Sequence, residues 1–178
     1  MALVYGEVCA ESVATICGVL REYGLEARGG ATVDLGSGEG ALLRSALAVH
    51  PFEAALGVEI MPTRHNRALQ ASGEDSRFRF TLGDFRIFPW WQTPLIRVIF
   101  CVANLFDEKL MQDVVEDVRR CNEGVFLVVV GNRVRQPSSL KELRVMSIHT
   151  SWGDDIARLY RHHEDHFVLD ALVLSDMD

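Results

Sequence analysis

The 178-residue sequence contains only five prolines and shows no low-complexity stretch or internal repeat. That excludes a Pro-rich linker or a disordered, biased chain. Its four cysteines, Cys9, Cys17, Cys101 and Cys121, form no CxxC pair and sit within apolar patterns. A disulfide framework is a poor fit, and buried free thiols of an intracellular protein are expected. No segment reaches the roughly 18 uninterrupted apolar residues of a membrane-spanning helix. The start Met1-Ala2-Leu3-Val4-Tyr5-Gly6 lacks the basic region and long apolar run of a secretory leader. Positive charge is also short: 18 Lys and Arg face 25 Asp and Glu, a net −7. A protein gripping nucleic acid with its whole surface needs the opposite balance.

Hydrophobic residues make up 48% of the chain, enough for one domain with a substantial core. We expect a single domain over 1–178, with an N-terminal loop and helix (1–24), a sheet core (25–164) and a C-terminal tail (165–178). Charge is uneven. Residues 61–100 hold Arg64, Arg67, Arg77, Arg79, Arg86 and Arg97 against Glu74, Asp75 and Asp84, which reads as solvated arginines or, less simply, as a phosphate-contacting patch.

Apolar residues recur at helical spacing over Val8–Leu20, and a first helix is expected to end near Gly24. Alternation then follows: strand Ala31–Leu35, helix Ala41–Val49, strand Ala55–Ile60, helix Pro62–Ala71, strand Phe78–Leu82, strand Leu95–Val102, helix Glu108–Cys121 and strand Val125–Val130. Continuous apolar runs such as Val125–Val130 suit parallel strands buried on both faces. The pattern predicts an α/β fold, a doubly wound and mostly parallel seven-stranded sheet. Leu143–His149 and Ile156–His162 are expected to form an antiparallel pair at its edge. The apolar tail Phe167–Leu174 reads as strand or helix.

In such sheets ligands sit beyond the carboxyl ends of the strands. There the first strand meets Asp34-Leu35-Gly36-Ser37-Gly38-Glu39-Gly40, where glycines at 36, 38 and 40 let the backbone approach a ligand. A GxGxG turn also occurs in nicotinamide- and flavin-binding proteins. Here, however, Ala41 breaks the GxGxxG fingerprint, and Asp34 with Glu39 would repel a diphosphate while Asp34 suits an ammonium group. Gly57-Val58-Glu59 closes the second strand, 25 residues after Asp34, where a carboxylate can accept both ribose hydroxyls of an adenosine. Gly83-Asp84-Phe85 closes the third, offering an acceptor for an adenine amino group beside an aromatic ring. Acids at three successive strand ends point to an adenosine-bearing, cationic cofactor.

With those residues assembled, the sequence resembles class I S-adenosylmethionine-dependent methyltransferases of Rossmann-like fold. Within them it looks like the disruptor-of-telomeric-silencing (Dot) family of histone-lysine methyltransferases. Val4-Tyr5-Gly6-Glu7-Val8 followed by Glu11-Ser12-Val13 is similar to that family's cofactor-covering loop and first helix. DLGSGEG, GVE and GDF follow in the family's order, then Ala103-Asn104-Leu105-Phe106 and Thr150-Ser151-Trp152 with Tyr160; the likeness spans roughly residues 4–164. It departs from the family at Ala103, where an asparagine is usual, at Ala41 in place of glutamine, and in lacking most residues between GVE and GDF and a basic tail.

The resemblance implies S-adenosyl-L-methionine as cofactor and S-adenosylhomocysteine as product. Tyr5, Gly6, Glu7, Asp34, Gly36, Ser37, Gly38, Gly40, Glu59, Asp84, Phe85 and Asn104 would bind the cofactor. Asn104, Tyr5, Trp152 and Tyr160 would serve catalysis, the last two as walls of an aromatic channel that desolvates a lysine amine and favours it by cation–π contact. Glu7 has a second reading as a charge complementing a helix N-terminus, Asn104 as a strand-end cap, and Trp152 with Tyr160 as edge-strand packing. A basic protein substrate, histone or nucleosome, and a nuclear location follow from the resemblance. Non-histone protein, nucleic acid or small-molecule acceptors, and a weakly active cofactor-binding scaffold, stand beside it. His162-His163-Glu164-Asp165-His166 is not read as a metal site, because adjacent residues of a strand point to opposite sides. Trp90-Trp91 is expected to pack down rather than to mark an interface.

Overall fold

The computed structural model describes residues 6–132, 134–135 and 139–163. Val13, Ile16, Cys17 and Leu20 form the buried stripe of helix α1 (Ala10–Glu22). The helix begins later than the apolar spacing suggests, because Val8 bridges Thr150 and the Cys9 N–H donates to the carbonyl of His149 at 3.1 Å. Strand β1 (Ala31–Leu35), helix α2 (Ala41–Val49), strand β2 (Ala54–Glu59), helix α3 (Pro62–Ser72) and strand β3 (Phe78–Leu82) follow. Pro62 opens α3, where its missing N–H would have had no partner. A single 3₁₀ turn over Trp90–Gln92 leads to β4 (Ile96–Val102), α4 (Glu108–Val118) and β5 (Phe126–Val130). Helix α4 is capped by the Asp107 carboxylate, which accepts from the Leu110 N–H at 2.8 Å. It stops short of Cys121, which falls in the turn that closes it.

β6 (Leu140–Thr150) and β7 (Gly153–His162) form one long hairpin, with Ser151 and Trp152 at its two-residue tip. Both strands exceed the expected Leu143–His149 and Ile156–His162. The seven strands lie in the order β3-β2-β1-β4-β5-β7-β6. The first five are parallel, and β7 runs antiparallel between β5 and β6. This is the expected doubly wound α/β sheet with an antiparallel edge.

Residues of β4 alternate between two cores. Val98 and Phe100 face the layer of α1 and α2, whereas Ile99 and Cys101 face α4 and the buried Trp90. Trp90 is fully enclosed, Trp91 meets it edge-on, and the Arg120 guanidinium lies 4.7 Å from the Trp91 ring centre. Burial pushes the thiols of Cys17 and Cys121 up to about 11 and about 12, so they serve as packing atoms rather than nucleophiles. Among the described residues no helix is long and apolar enough to cross a membrane, and no group of three or more His, Cys, Asp or Glu could hold a metal. His162 is buried with Nδ1 3.2 Å from the Asn122 carbonyl. Glu164, Asp165, His166 and the tail Phe167–Leu174 lie outside the described residues.

Candidate cofactor and acceptor cleft

The chain turns sharply after β1 because Gly36, Gly38 and Gly40 all take positive φ, at 84°, 54° and 77°. A side chain would strain each of these positions. Gly36 and Ser37 donate their N–H groups to the Val58 carbonyl at 2.9 and 3.1 Å, tying the turn to β2. Gly40 also has a packing role. A Cβ there would lie 2.7 Å from Phe80, so the residue lets the start of α2 approach β3.

Glu59 ends β2 with its carboxylate fixed at both oxygens. Gly38 donates to Oε2 at 2.8 Å and Met61 donates to Oε1 at 2.7 Å. Each oxygen retains a lone pair, so the group can still accept two hydroxyls. Behind it, Asp34 is almost wholly buried and its Oδ1 has no hydrogen-bond partner. Burial, and secondarily the charge of Glu59, push its carboxyl up to about 7. A buried acceptor without a donor is costly, and a cationic ligand group would relieve it.

Glu59 borders a cleft of about 510 Å³ at the carboxyl ends of β1 to β4, and Asp34 lies behind its wall. Of the expected residues, the fold brings Gly6, Gly36, Glu59, Asp84, Phe85, Asn104 and Trp152 together in its wall. Glu7, Asp34, Ser37, Gly38 and Gly40 are not among the lining residues. Asp84 does line it, but Arg86 grips its carboxylate through the backbone N–H at 2.9 Å and through the guanidinium. Those hydrogen bonds hold the Asp84 carboxyl below the usual range despite partial burial. An incoming amino group would have to share the carboxylate with Arg86. Phe85 stacks at a tilt against Phe106, ring centres 5.5 Å apart.

The far end of the cleft is built from the N-terminal loop and the hairpin tip. The Glu7 N–H donates to Ser151 Oγ at 2.9 Å, and the Ser151 N–H donates to the Glu7 carbonyl at 2.8 Å. Trp152 lies so close over Gly6 that a Cβ there would sit 1.9 Å from its ring. Tyr5 lies outside the described residues. Tyr160 is corrected outright: it is fully buried in the core beside α4, and it lines no part of the cleft. β7 is an interior strand, so its alternate residues face the core rather than a channel. Burial, with the Glu142 charge adding to it, pushes the Tyr160 hydroxyl up to about 12.

Several lining residues were not among the expected site residues. Met61, Arg64, Leu105, Phe106 and Leu110 contribute to the wall. Asn132 anchors the loop after β4 by donating to the carbonyls of Ala103 at 2.7 Å and Phe106 at 2.5 Å. Asp155 binds both Asn104 and Trp152. Asn132 carried a sequence signal, since an Asn just past a buried strand commonly bonds nearby backbone.

No family model matches the sequence, and no curated protein matches it. Solved structures do match the fold. The proposed methyltransferase yhhF of Escherichia coli superposes with a TM-score of 0.64 at 14% identity, covering 85% of each chain. The N-methyltransferase NodS of Bradyrhizobium japonicum gives 0.63 at 16% identity, covering 86% of this chain and 96% of its own. An RNA methyltransferase of Salinibacter ruber in complex with S-adenosyl-L-homocysteine gives 0.60 at 19% identity, covering 80% and 87%. The fold is therefore the Rossmann-like one of class I methyltransferases. Among these neighbours are an RNA methyltransferase and an N-methyltransferase.

Proposed function

We propose that the protein is an S-adenosylmethionine-dependent methyltransferase whose acceptor is a nucleic acid or a small molecule. The observation that carries the first half is Glu59. Its carboxylate is held at the end of β2 by Gly38 and Met61, leaving one acceptor site per oxygen for the two ribose hydroxyls. Asp34, with its unpartnered buried oxygen, suits the ammonium of the methionine portion. Phe85, Ile60 and Met61 supply apolar surface for an adenine. The residues present thus fit the cofactor's ribose and, through Asp34, its ammonium group.

When bound, the cofactor supplies an electrophilic methyl on a sulfonium. The protein's task is to hold an acceptor in line with it and to exclude water. Asn104 and Trp152 stand at the cleft end where an acceptor would enter. No strong base is required of them if the acceptor nitrogen arrives neutral.

The neighbours in fold favour RNA or small-molecule acceptors. Arg64 and Arg86 on the cleft wall suit an anionic acceptor better than a lysine side chain. The histone-lysine reading, with its nucleosome and nuclear setting, retains the Gly6–Trp152 contact. It loses the aromatic channel, because Tyr160 is not there. Calorimetric titration with S-adenosylhomocysteine tests cofactor binding. Transfer of tritiated methyl to total RNA, free histones and a panel of small amines then separates the acceptors. Label on RNA or on an amine is expected; label confined to histones would restore the Dot-like reading.

A further inference from the structure

Asn104 and Trp152 belong to elements far apart in sequence, yet one carboxylate holds both. Asn104 Nδ2 donates to Asp155 Oδ2 at 2.5 Å, and Trp152 Nε1 donates to the same oxygen at 3.0 Å. The other oxygen accepts the Ile156 N–H at 2.7 Å. Burial opposes ionisation of Asp155. The bonds from Asn104, Ile156 and Trp152, with the charge of Arg158, outweigh it and hold the carboxyl below its usual range. Asp155 thus receives three hydrogen bonds as a carboxylate.

Its placement follows from register. β5 ends at Val130, paired with Ala157, so Asp155 lies two residues past that end, at the carboxyl edge where the cleft opens. Gly131 makes room for the arrangement, since a Cβ there would lie 2.4 Å from Asn104 Oδ1. With Nδ2 committed to Asp155, the Asn104 carboxamide has a fixed orientation. Trp152, 37% exposed at the hairpin tip, has its indole plane fixed over Gly6 in the same way.

We infer that Asp155 is a positioning residue: it braces the loop after β4 to the tip of the β6–β7 hairpin and so sets the shape of the cleft end formed by Asn104, Trp152 and Gly6. The inference rests on the proposed cofactor cleft. Asp155 touches no ligand itself and acts through the two side chains it holds.

The test uses the full chain, S-adenosylhomocysteine as probe, and the variants Asp155→Ala and Asp155→Asn. In nitrogen-15 spectra the Trp152 indole N–H, assigned with Trp152→Phe, is expected to shift and to exchange faster with water in Asp155→Ala. Trp90 and Trp91 should stay in place as internal controls. The dissociation constant for S-adenosylhomocysteine is expected to rise about tenfold in Asp155→Ala, the scale of an orientation held by charged hydrogen bonds. Asp155→Asn, which keeps one acceptor oxygen, should recover part of that loss. Wild-type protein that binds the probe, with both variants binding equally well and an unmoved Trp152 signal, would overturn the brace alone. A melting temperature that falls without any change in affinity would reduce Asp155 to a structural role and overturn it as well. Wild-type protein that does not bind the probe would overturn the cofactor cleft and the brace together.

Discussion

Asp34 shows how much one buried group can impose. Its carboxyl titrates near 7 instead of 3.8 because it is buried and stands near Glu59. Between those two values the folded chain keeps a proton that the unfolded chain has released. Stability from this group is therefore full below about pH 4 and is lost as pH rises through about 7. Asp34→Asn should flatten this part of the stability profile and raise the melting temperature above pH 7; melts from pH 5 to 8 with an unchanged slope would contradict it. A ligand ammonium needs the ionised form, so S-adenosylhomocysteine should bind more tightly as pH rises toward 7 and should release protons below it. Calorimetry in buffers of different ionisation enthalpy reads that release directly, and Asp34→Asn should lack it. Gly6→Ala is a steric counterpart. The new methyl would collide with the Trp152 ring, so it should weaken ligand binding and move the Trp152 indole signal, with little effect on thermal stability.

Among the elements, α1 and the β6–β7 hairpin depend on one another. Ser12 Oγ donates to the His149 carbonyl at 3.0 Å and accepts the His149 N–H at 2.9 Å. Beside it lie the Val8–Thr150 bridge and the paired bonds between Glu7 and Ser151. Ser12→Ala takes away the partner of the His149 N–H and leaves the His149 carbonyl only the Cys9 N–H, and should cost about 1–2 kcal/mol. Hydrogen exchange should rise at Cys9, His149 and Ser151 together; a rise confined to one of these segments would show that they are not coupled. The elements also differ in how legible they were. β1, the glycine turn and α2 follow from local pattern: an apolar strand, three glycines and an apolar helix stopped by His50-Pro51. The carboxylates at the ends of β2 and β3 follow from the same rule of strand ends. Tyr160 does not, because its side depends on β7 lying between β5 and β6, a choice made by tertiary packing. Asp155 is hidden for the same reason: its partner Asn104 is 51 residues away and meets it only through the β5–β7 pairing.

At the scale of the whole molecule, the parallel half of the sheet supplies the carboxylates proposed to hold the cofactor, and the antiparallel hairpin with the N-terminal loop closes the other end of the cleft. Net charge of −7 opposes long-range attraction of a polyanion, so any RNA acceptor must be engaged locally. Arg64 and Arg86 on the cleft wall are the groups placed to do that. Doubling ionic strength should then change cofactor affinity little while weakening transfer to RNA. Transfer insensitive to salt would favour a small acceptor.

The most direct measurement is calorimetric titration of S-adenosylhomocysteine into the full chain and into Glu59→Gln. Stoichiometric binding by the wild type is predicted, with affinity reduced about a hundredfold by the substitution, since it alters a carboxylate expected to receive two hydroxyls. Binding left intact in Glu59→Gln would move the cofactor away from the end of β2. No binding by a folded wild-type chain would contradict the assignment altogether.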